Sequence, residues 1–571
     1  MKVFKILFFL AVLISGITAC QPDDDFGAFT PENEEISLDP AQAEVSKVAG
    51  QYSFMVTSNL PWRAKSNAAW ITVTTQQGST SGAIEYSVAA NPTTEQRSGT
   101  IEVWITQNSK VLFTVIQEAG DLPPDTAQNI YVKPNGTGDG SSWDNATTLS
   151  QALKLNLFDG DKIHVSAGTH TPLYTFGGEE ASDATERTFD LNRNIEIIGG
   201  YSANPSPDEL PSPSVNETVL SGQLSGSQTN HVIAVTAALV SGHSVKISGV
   251  TIKDGYANGS GNSVINGVSF PKNYAGGIII AGGILELNNC IVSSNKASSH
   301  GVGIYAFSGA ELIINNSKII GNQGATSNGC GLYLNGASAT ITGTTIENNI
   351  TNGVGAGIQT FVSAILKMYN CTIANNSAGS RAGALYARNN TQAILVNCTL
   401  YGNTTTTTPG NGGAIHTHDS STITIISSTI TANQGGTGGG INNTEGCTIN
   451  LYNSIVSGNL QEGNPSDIIG DVSYEYCITG SNTYGDNGAP LAGEVFDSGF
   501  MLSALSNNGG TTQTCALAGS NNPAVNNGMP VTELQALGST LSPGAEASII
   551  TNDQAGNSRA GSQDIGALVQ Q

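Results

Sequence analysis

The sequence predicts an all-β chain, with a small β-sandwich followed by a parallel β-helix, a solenoid. Three observations carry this. Thr, Ile, Val, Ser, Asn and Gly dominate while strong helix formers are scarce, with Gly at 69 of 571 residues against a usual value of about 7 percent. Residues 35–120 hold short alternating runs separated by turn residues, the pattern of a sandwich. From Gly276 to Asn459 runs an asparagine series, Asn295, Asn322, Asn349, Asn376, Asn403, Asn433 and Asn459, with steps of 27, 27, 27, 27, 30 and 26. A near-constant period means one structural unit stacked on copies of itself.

Charged residues are 11% and the net charge is −23. A polyanion would be repelled, so nucleic acid is not an expected partner. Hydrophobic residues are 38%, enough for a core.

Residues 1–20 read as a signal segment. Lys2 and Lys5 form a charged start and Ile6–Ile14 an apolar run too short to span a bilayer. Ile17-Thr18-Ala19-Cys20 resembles a bacterial lipobox, which implies cleavage before Cys20 and lipidation of its thiol. The following Gln21-Pro22-Asp23-Asp24-Asp25 resembles the acidic surface-export signal of lipoproteins in the Bacteroides group. That resemblance implies an outer-membrane, surface-exposed location. Residues 21–34, with Glu32 and Glu34 after the aspartates, form an acidic linker.

In residues 35–120 the expected strands are Tyr52–Thr57, Trp70–Thr74, Ile84–Val88, Thr100–Thr106 and Val111–Gln117. Ser58-Asn59-Leu60-Pro61-Trp62, Trp70-Ile71-Thr72-Val73, Asn91-Pro92, Arg97-Ser98-Gly99-Thr100-Ile101 and Val115-Ile116-Gln117-Glu118-Ala119-Gly120 occur in that order. This segment resembles the BACON domain, an immunoglobulin-like module. The resemblance implies either carbohydrate binding or a spacer role. Trp62 and Trp70 are expected in the core rather than as sugar platforms. Residues 121–128, with Pro123-Pro124, form a stiff linker.

The repeat domain spans residues 129–495. Asn129-Ile130-Tyr131-Val132, a short helix near Leu149–Leu157, Gly160-Asp161-Lys162-Ile163-His164-Val165 and Gly168-Thr169 resemble the start of right-handed parallel β-helices of the pectate-lyase type. In those proteins a helix covers the first coil and protects its open edge. Coils are expected at Ile195–Gly200 and Val245–Asp254, with Asp254 in the asparagine position. From Asp254 to Asn295 is 41 residues, so that coil carries an insertion of 41 − 27 = 14, placed at Tyr256–Asn273.

Five residues before each asparagine stands a small residue: Cys290, Ser317, Thr344, Cys371, Cys398, Ser428 and Ser454. Three positions before it lie Leu287, Ile314, Ile341, Met368, Leu395, Ile425 and Leu451, and two after it Val292, Ile319, Ile346, Ile373, Leu400, Ile430 and Val456. Both columns are apolar and point inward, with the small residue at a bend. The residue before it is Asn at Asn289, Asn316, Asn370, Asn397 and Asn453, which suits a turn. The asparagine series is therefore structural. Cys371 and Cys398 lie one coil apart, where a disulfide is sterically conceivable, but a stack of free thiols is the expected state. No cysteine or histidine spacing resembles a metal site, and no cofactor motif occurs.

Residues 496–571 include Leu505-Ser506-Asn507-Asn508-Gly509-Gly510, Asn522-Pro523-Ala524-Val525-Asn526-Asn527-Gly528 and Asp564-Ile565-Gly566-Ala567. They resemble the choice-of-anchor Q C-terminal region, which implies a cap on the last coil.

The candidate site follows from register. Alternation turns one column outward, Tyr305, Tyr333, Gln359, Tyr386, His416 and Asn442, and a second, Phe307, Asn335, Phe361, Arg388, His418 and Thr444. Tyr305, Tyr333, Phe361, Tyr386, Arg388 and His416 are the glycan-binding candidates. If the chain is catalytic, Arg388 would neutralise a uronate, His418 would act as base and Asp419 would orient it. Three functions remain open: glycan binding or adhesion to a polysaccharide or glycoconjugate, a polysaccharide lyase or glycoside hydrolase, and a structural surface spacer. The group Glu179, Glu180, Asp183, Glu186, Arg187, Asp190 and Arg193 reads as a solvated loop.

Overall fold

The computed structural model describes residues 33–91, 95–119, 127–236, 244–265, 267–407, 410–480, 483–484, 501–519, 522–540, 547–561 and 563–570. The signal segment, Cys20, most of the acidic linker and Pro123-Pro124 lie outside the described residues. The chain divides into two compact units, Met1–Thr126 and Ala127–Gln571.

The first unit is a β-sandwich. One sheet holds β1 (Ile36–Asp39), β3 (Gly50–Ser58), β5 (Ile71–Val73) and β7 (Gly82–Val88) in the order β1-β3-β7-β5. The other holds β2 (Gln42–Val45), β4 (Trp62–Ser66), β6 (Gln77–Gly78), β8 (Arg97–Thr106) and β9 (Ser109–Gln117) in the order β2-β9-β8-β4-β6. The four strands that the sequence does not announce are β1, β2, β4 and β6. Three of them are sheet edges, short and polar on one side, where the alternation signal is weakest. Phe54 and Phe113 stack at 3.8 Å in the core. Trp62 is buried, and its indole Nε1 donates to the Thr80 carbonyl at 2.9 Å. Trp70 is half-buried, with the Arg97 guanidinium 4.4 Å from its ring.

The second unit is a parallel solenoid. One coil shows the plan. Ile358–Phe361 lies in sheet I, and Val362 and Ser363 turn the chain with φ of 52° and 54°. Ile365–Tyr369 lies in sheet II, Asn370 turns at φ 54°, and Thr372–Ala374 lies in sheet III. Asn375 turns at φ 54° and Ser377–Ala378 lies in sheet IV. A Gly-rich stretch returns the chain to Leu385. Among the described residues sheets I and III each have 11 strands, sheet II has 12 and sheet IV has 9. The turn column expected from sequence is real: Asn289, Asn316, Asn370, Asn397 and Asn453 all have φ between 48° and 54°. Asn tolerates this left-handed region better than most residues.

The asparagine series forms a buried ladder at the corner between sheets III and IV. Asn376 illustrates the bonding. Its Oδ1 accepts from the Asn349 backbone N–H at 3.0 Å and from Asn349 Nδ2 at 2.9 Å. Its Nδ2 donates to the Ile346 carbonyl at 3.0 Å and to Asn403 Oδ1 at 2.9 Å. The ladder begins where the Gly255 N–H donates to Asn295 Oδ1 at 3.1 Å. It ends on a carboxylate, with Asn459 Nδ2 donating to Asp467 Oδ1 at 2.7 Å. Burial raises the Asp467 pKa. A second ladder runs through the small residues, as where the Ser317 N–H donates to Thr344 Oγ1 at 3.2 Å. Cys371 and Cys398 stack in it as free thiols, without a disulfide.

Three expectations are corrected. Gly255, not Asp254, pairs with the asparagine position, because Lys253 registers with Ser293; Asp254 is the left-handed turn residue. The helix covering the first coil is one turn, Leu149–Ala152, capped by Thr148. Leu149, Ala152 and Leu157 are buried in the solenoid core. The C-terminal segment does not cap the last coil but lies along its side. Asn397 Nδ2 donates to the Asn552 carbonyl, the Ala567 N–H donates to Thr429 Oγ1, and Asn453 Nδ2 donates to the Asp564 carbonyl. The cause is apolar: Ile394, Val396 and Ile426 face outward from sheet II and are covered by Met529, Leu534 and Ile550. The Tyr256–Asn273 insertion is a β-hairpin of Asn262–Ile265 and Val268–Pro271.

Replacing Asn376 with Leu strands the Asn349 donors and the Asn403 acceptor in a dry corner. The expected loss is at least about 3 kcal/mol, read as a lower midpoint in denaturant unfolding. Asn375→Ala, one residue away on the exposed turn, is expected to cost about 1 kcal/mol. Equal losses for the two variants would show that the ladder contributes nothing beyond the turn.

Candidate functional site

Sheet I carries the predicted columns in register. Tyr305 pairs with Tyr333, Tyr333 with Gln359, Gln359 with Tyr386, and Tyr386 with His416. The first column faces away from the coil core, yet it is not an open platform. Tyr305 and Tyr333 are each 4% exposed, and Gln359, Tyr386 and His416 each 1%. This overturns the expectation of a freely exposed aromatic face, for two physical reasons. The stretch preceding each strand folds back against it: Gly329, at φ +61°, sits so near that a Cβ there would lie 2.7 Å from Tyr333 Cβ. Gly412, at φ +66°, approaches His416 in the same way. A row of bridges, Asn328–Val354–Arg381–Asn411–Thr437, ties these stretches into a wall. In the earlier coils the inserted hairpin completes the cover, with Phe270 packing 5.7 Å from Phe307 and 5.6 Å from Phe176. Tyr274 and His300 stand edge-on against Tyr305 and Tyr333, at 5.1 and 5.4 Å.

The second column is half-exposed: Phe307, Asn335, Phe361, Arg388, His418 and Thr444. It flanks a narrow strip, the groove, whose floor is the buried first column, only 1–4% exposed from Tyr305 to His416, and whose other side is the wall bearing Arg381. Beyond the hairpin the floor is Gln359, Tyr386 and His416. Tyr386 stacks on His416 at 5.3 Å, and Tyr333 on Phe361 at 6.2 Å. The Arg388 guanidinium lies 5.6 Å from the Phe361 ring. After Phe361, Val362 holds φ 52° and is 44% exposed, an uncommon and strained setting for a β-branched residue.

Arg388, His418 and Asp419 come together. Arg388 Nε lies 3.1 Å from Asp419 Oδ2, and His418 Nδ1 lies 2.7 Å from Asp419 Oδ1 without hydrogen-bond alignment. His418 and Arg388 hold the Asp419 carboxyl below its usual range. Each of these side chains is 41–43% exposed, so the group is wet. Such a setting screens an ion pair and does not build a desolvated acid–base centre.

The floor holds two atoms whose state the sequence did not reveal. Gln359 Oε1 and His416 Nε2 are buried without a hydrogen-bond partner. His416 Nδ1 faces the Asn442 carbonyl at 3.2 Å. Burial, aided by Arg381, lowers the His416 pKa to about 4, so the ring is neutral at pH 7. Burial raises the Tyr386 phenol, with Arg381 and Arg388 pulling the other way. Register alone could have placed Gln359 beside Tyr386; its missing partner is visible only in the fold.

The earlier charged group divides. Asp190 is buried and accepts from Thr236 Oγ1 and the Gly177 N–H, and Glu186 pairs with Lys272 of the hairpin. Among the described residues no group of three His, Cys, Asp or Glu could hold a metal ion, and no helix is long and apolar enough to cross a membrane.

Because unfolded histidine titrates near 6.5 and folded His416 near 4, the unfolded chain binds the extra proton in that window. Stability therefore falls as pH drops through it. His416→Gln is expected to lose less stability than the parent between pH 7 and 4.5, by on the order of 2 kcal/mol, in denaturant titrations at the two pH values. Identical pH dependence in both would refute the assignment.

Comparison with known proteins agrees with this architecture. Residues 35–119 match the family model of the viral BACON domain, and residues 236–400 and 325–483 match that of the right-handed β-helix region. No curated protein matches the chain. Among solved structures, a Bacteroides ovatus GH5 xyloglucanase in complex with a XXXG heptasaccharide is 11% identical, with 42% of this chain and 75% of that chain covered and a TM-score of 0.17. WR4, a C. elegans MSP family member, is 14% identical, with 15% of this chain and 97% of that chain covered and a TM-score of 0.13. At these scores neither likeness bears on function. The chain joins a BACON domain at its N-terminal side to a right-handed β-helix region.

Proposed function

We propose that this is a lipid-anchored, surface-exposed glycan-binding protein whose site is the half-exposed row Phe361, Arg388 and His418 on sheet I. One observation carries the reading: Phe361, Arg388 and His418 stand half-exposed on successive strands of one sheet, with the Arg388 guanidinium 5.6 Å from the Phe361 ring. Phe361 and Arg388 offer a stacking face and donors to a sugar ring. The BACON and β-helix matches fit a carbohydrate-associated surface protein.

The row suits binding better than hydrolysis. Glycoside hydrolysis uses a pair of facing carboxylates, and Asp419, engaged by Arg388 and His418, is the one carboxylate among the groove residues named above. A lyase would draw on Arg388 and His418, with Asp419 orienting them.

Retention on a glycan array is expected for the parent protein and a loss of at least tenfold for Phe361→Ala and for Arg388→Ala. Tyr305→Phe, under the hairpin, should bind like the parent. Unchanged retention in the first two variants would sink the row as the site and leave the spacer reading. Unsaturated or reducing ends released from a polysaccharide panel would establish the enzymatic alternative instead.

The anchor rests on Lys2, Lys5, the apolar run and Cys20. In a bacterial host the parent should label with palmitate and fractionate with the outer membrane. Cys20→Ser should do neither; a labelled Cys20→Ser protein would overturn this part.

A further inference from the structure

We propose that the outward face of β4, β8 and β9 in the first unit is a contact surface for an anionic lipid bilayer, with the Arg63 guanidinium on a lipid phosphate and the Trp104 ring at headgroup level. The reach of the tether rests on the lipid anchor proposed above; the contact itself does not.

The sandwich carries five cations between Asn33 and Ala119, namely Lys47, Arg63, Lys65, Arg97 and Lys110. Register gathers three of them on one face. Gln77 pairs with Arg63, Arg63 with Trp104, and Trp104 with Lys110 across β6, β4, β8 and β9. Lys65, Glu102 and Leu112 form the next row. Lys65 Nζ stands 5.6 Å from the Trp104 ring. Lys65 and Lys110 both pair with Glu102, at 3.5 and 3.0 Å, so three cations surround one carboxylate and positive charge is left in excess. Arg63 is exposed, and among the described residues no carboxylate lies within ion-pair distance of it. Arg97, by contrast, is engaged by the Ala89 and Ala90 carbonyls and by Gln117.

The same face is apolar between its charges. Trp104 and Ile105 are half-exposed and Leu112 is 54% exposed. Beside them a cleft of about 570 Å³ opens among Pro61, Arg63, Gln77, Ser79, Trp104 and Ile105, lined by one cation and no acid. An indole ring with an exposed leucine beside it and cations around it matches the boundary between hydrocarbon and headgroups. The ring and the leucine enter, and the Lys and Arg stems lie along them with their charged ends on phosphates. Lysines are flexible point charges, which suit a fluid charged surface better than a ligand read by hydrogen bonds at fixed positions.

Distance favours this occupant. From Cys20 to Asn33 the chain runs 33 − 20 = 13 residues, which span at most about 45 Å fully extended. With Cys20 lipidated, the sandwich stays that close to the bilayer in every conformation, and a surface contact needs little affinity of its own. The net charge of −23 opposes an anionic surface in general, so attraction is confined to this face and decides which side of the sandwich meets the lipid.

The test uses the chain from Gln21 to Gln571, which keeps both compact units and lacks the apolar leader and the lipidation site. It is floated with phosphatidylcholine vesicles made with and without phosphatidylglycerol, in physiological salt. Binding to the anionic vesicles is expected to exceed binding to the neutral ones at least tenfold, with a blue shift of tryptophan emission, and to fall in high salt. The double variant Arg63→Gln, Lys110→Gln should lose tenfold or more. Trp104→Ala should bind more weakly and without the blue shift. Lys296→Gln with Lys318→Gln, two exposed cations of the solenoid, should bind like the parent. Equal binding to both vesicles, full binding by the Arg63 and Lys110 double variant, or a blue shift that survives Trp104→Ala overturns the inference. So does an equal loss in the Lys296 and Lys318 variant, which would reveal general charge, or release by a neutral soluble oligosaccharide, which would make the cleft a sugar site. Absence of binding by the parent also rejects it. Because this chain lacks Cys20, no outcome depends on the anchor, and a failure of palmitate labelling would leave the contact standing.

Discussion

The rest of the second unit depends on one interaction, the hydrogen bond from a buried asparagine amide to the asparagine of the next coil. A primary amide in a dry corner is costly unless both its oxygen and its nitrogen are satisfied. Here Asn349, Asn376, Asn403 and Asn433 each meet that demand by bonding one coil forward and one coil back. The bond exists only if successive coils are in register, so it fixes register for all four sheets together. The inward apolar columns would tolerate a small slip; the amides would not. The carboxylate of Asp467 ends the series where no further asparagine follows.

Fixed register has a consequence for function. It aligns residues about 27 positions apart into rows, and sheet I uses the rows in two ways. In the earlier coils its outward residues are aromatic and are sealed by the hairpin and by Phe176, which makes a second small core. In the middle coils the returning wall covers the row at least as closely, with Gln359, Tyr386 and His416 each 1% exposed. There the row changes from aromatic to Gln359, Tyr386 and His416, and Gln359 Oε1 and His416 Nε2 are buried without a partner. The half-exposed second row beside it, Phe361, Arg388 and His418, is what this scaffold presents to solvent at that point.

The outward-facing column shows how far the sequence reaches. Alternation correctly turns Tyr305, Tyr333, Tyr386 and His416 away from the coil core, but it cannot say what lies over them. The covering groups come from Phe176, Phe270, Tyr274 and the returning wall, and a period-two pattern contains no trace of them. The C-terminal segment makes the same point. Its motifs read as an end cap, whereas Ile394, Val396 and Ile426 draw it along the flank of sheet II.

The sequence by itself determined the two-unit all-β plan, the coil length, the turn asparagines, the free thiol stack and the meeting of Arg388, His418 and Asp419. Each of these follows from side chains recurring at fixed offsets, because coil stacking converts sequence period directly into spatial contact. Only the tertiary structure decided which outward residues are sealed, that Gln359 Oε1 and His416 Nε2 are left without partners, and that the C-terminal segment lies along the flank of sheet II. Those properties depend on groups brought in from outside the repeat and on what each atom fails to find, and neither leaves a periodic signal.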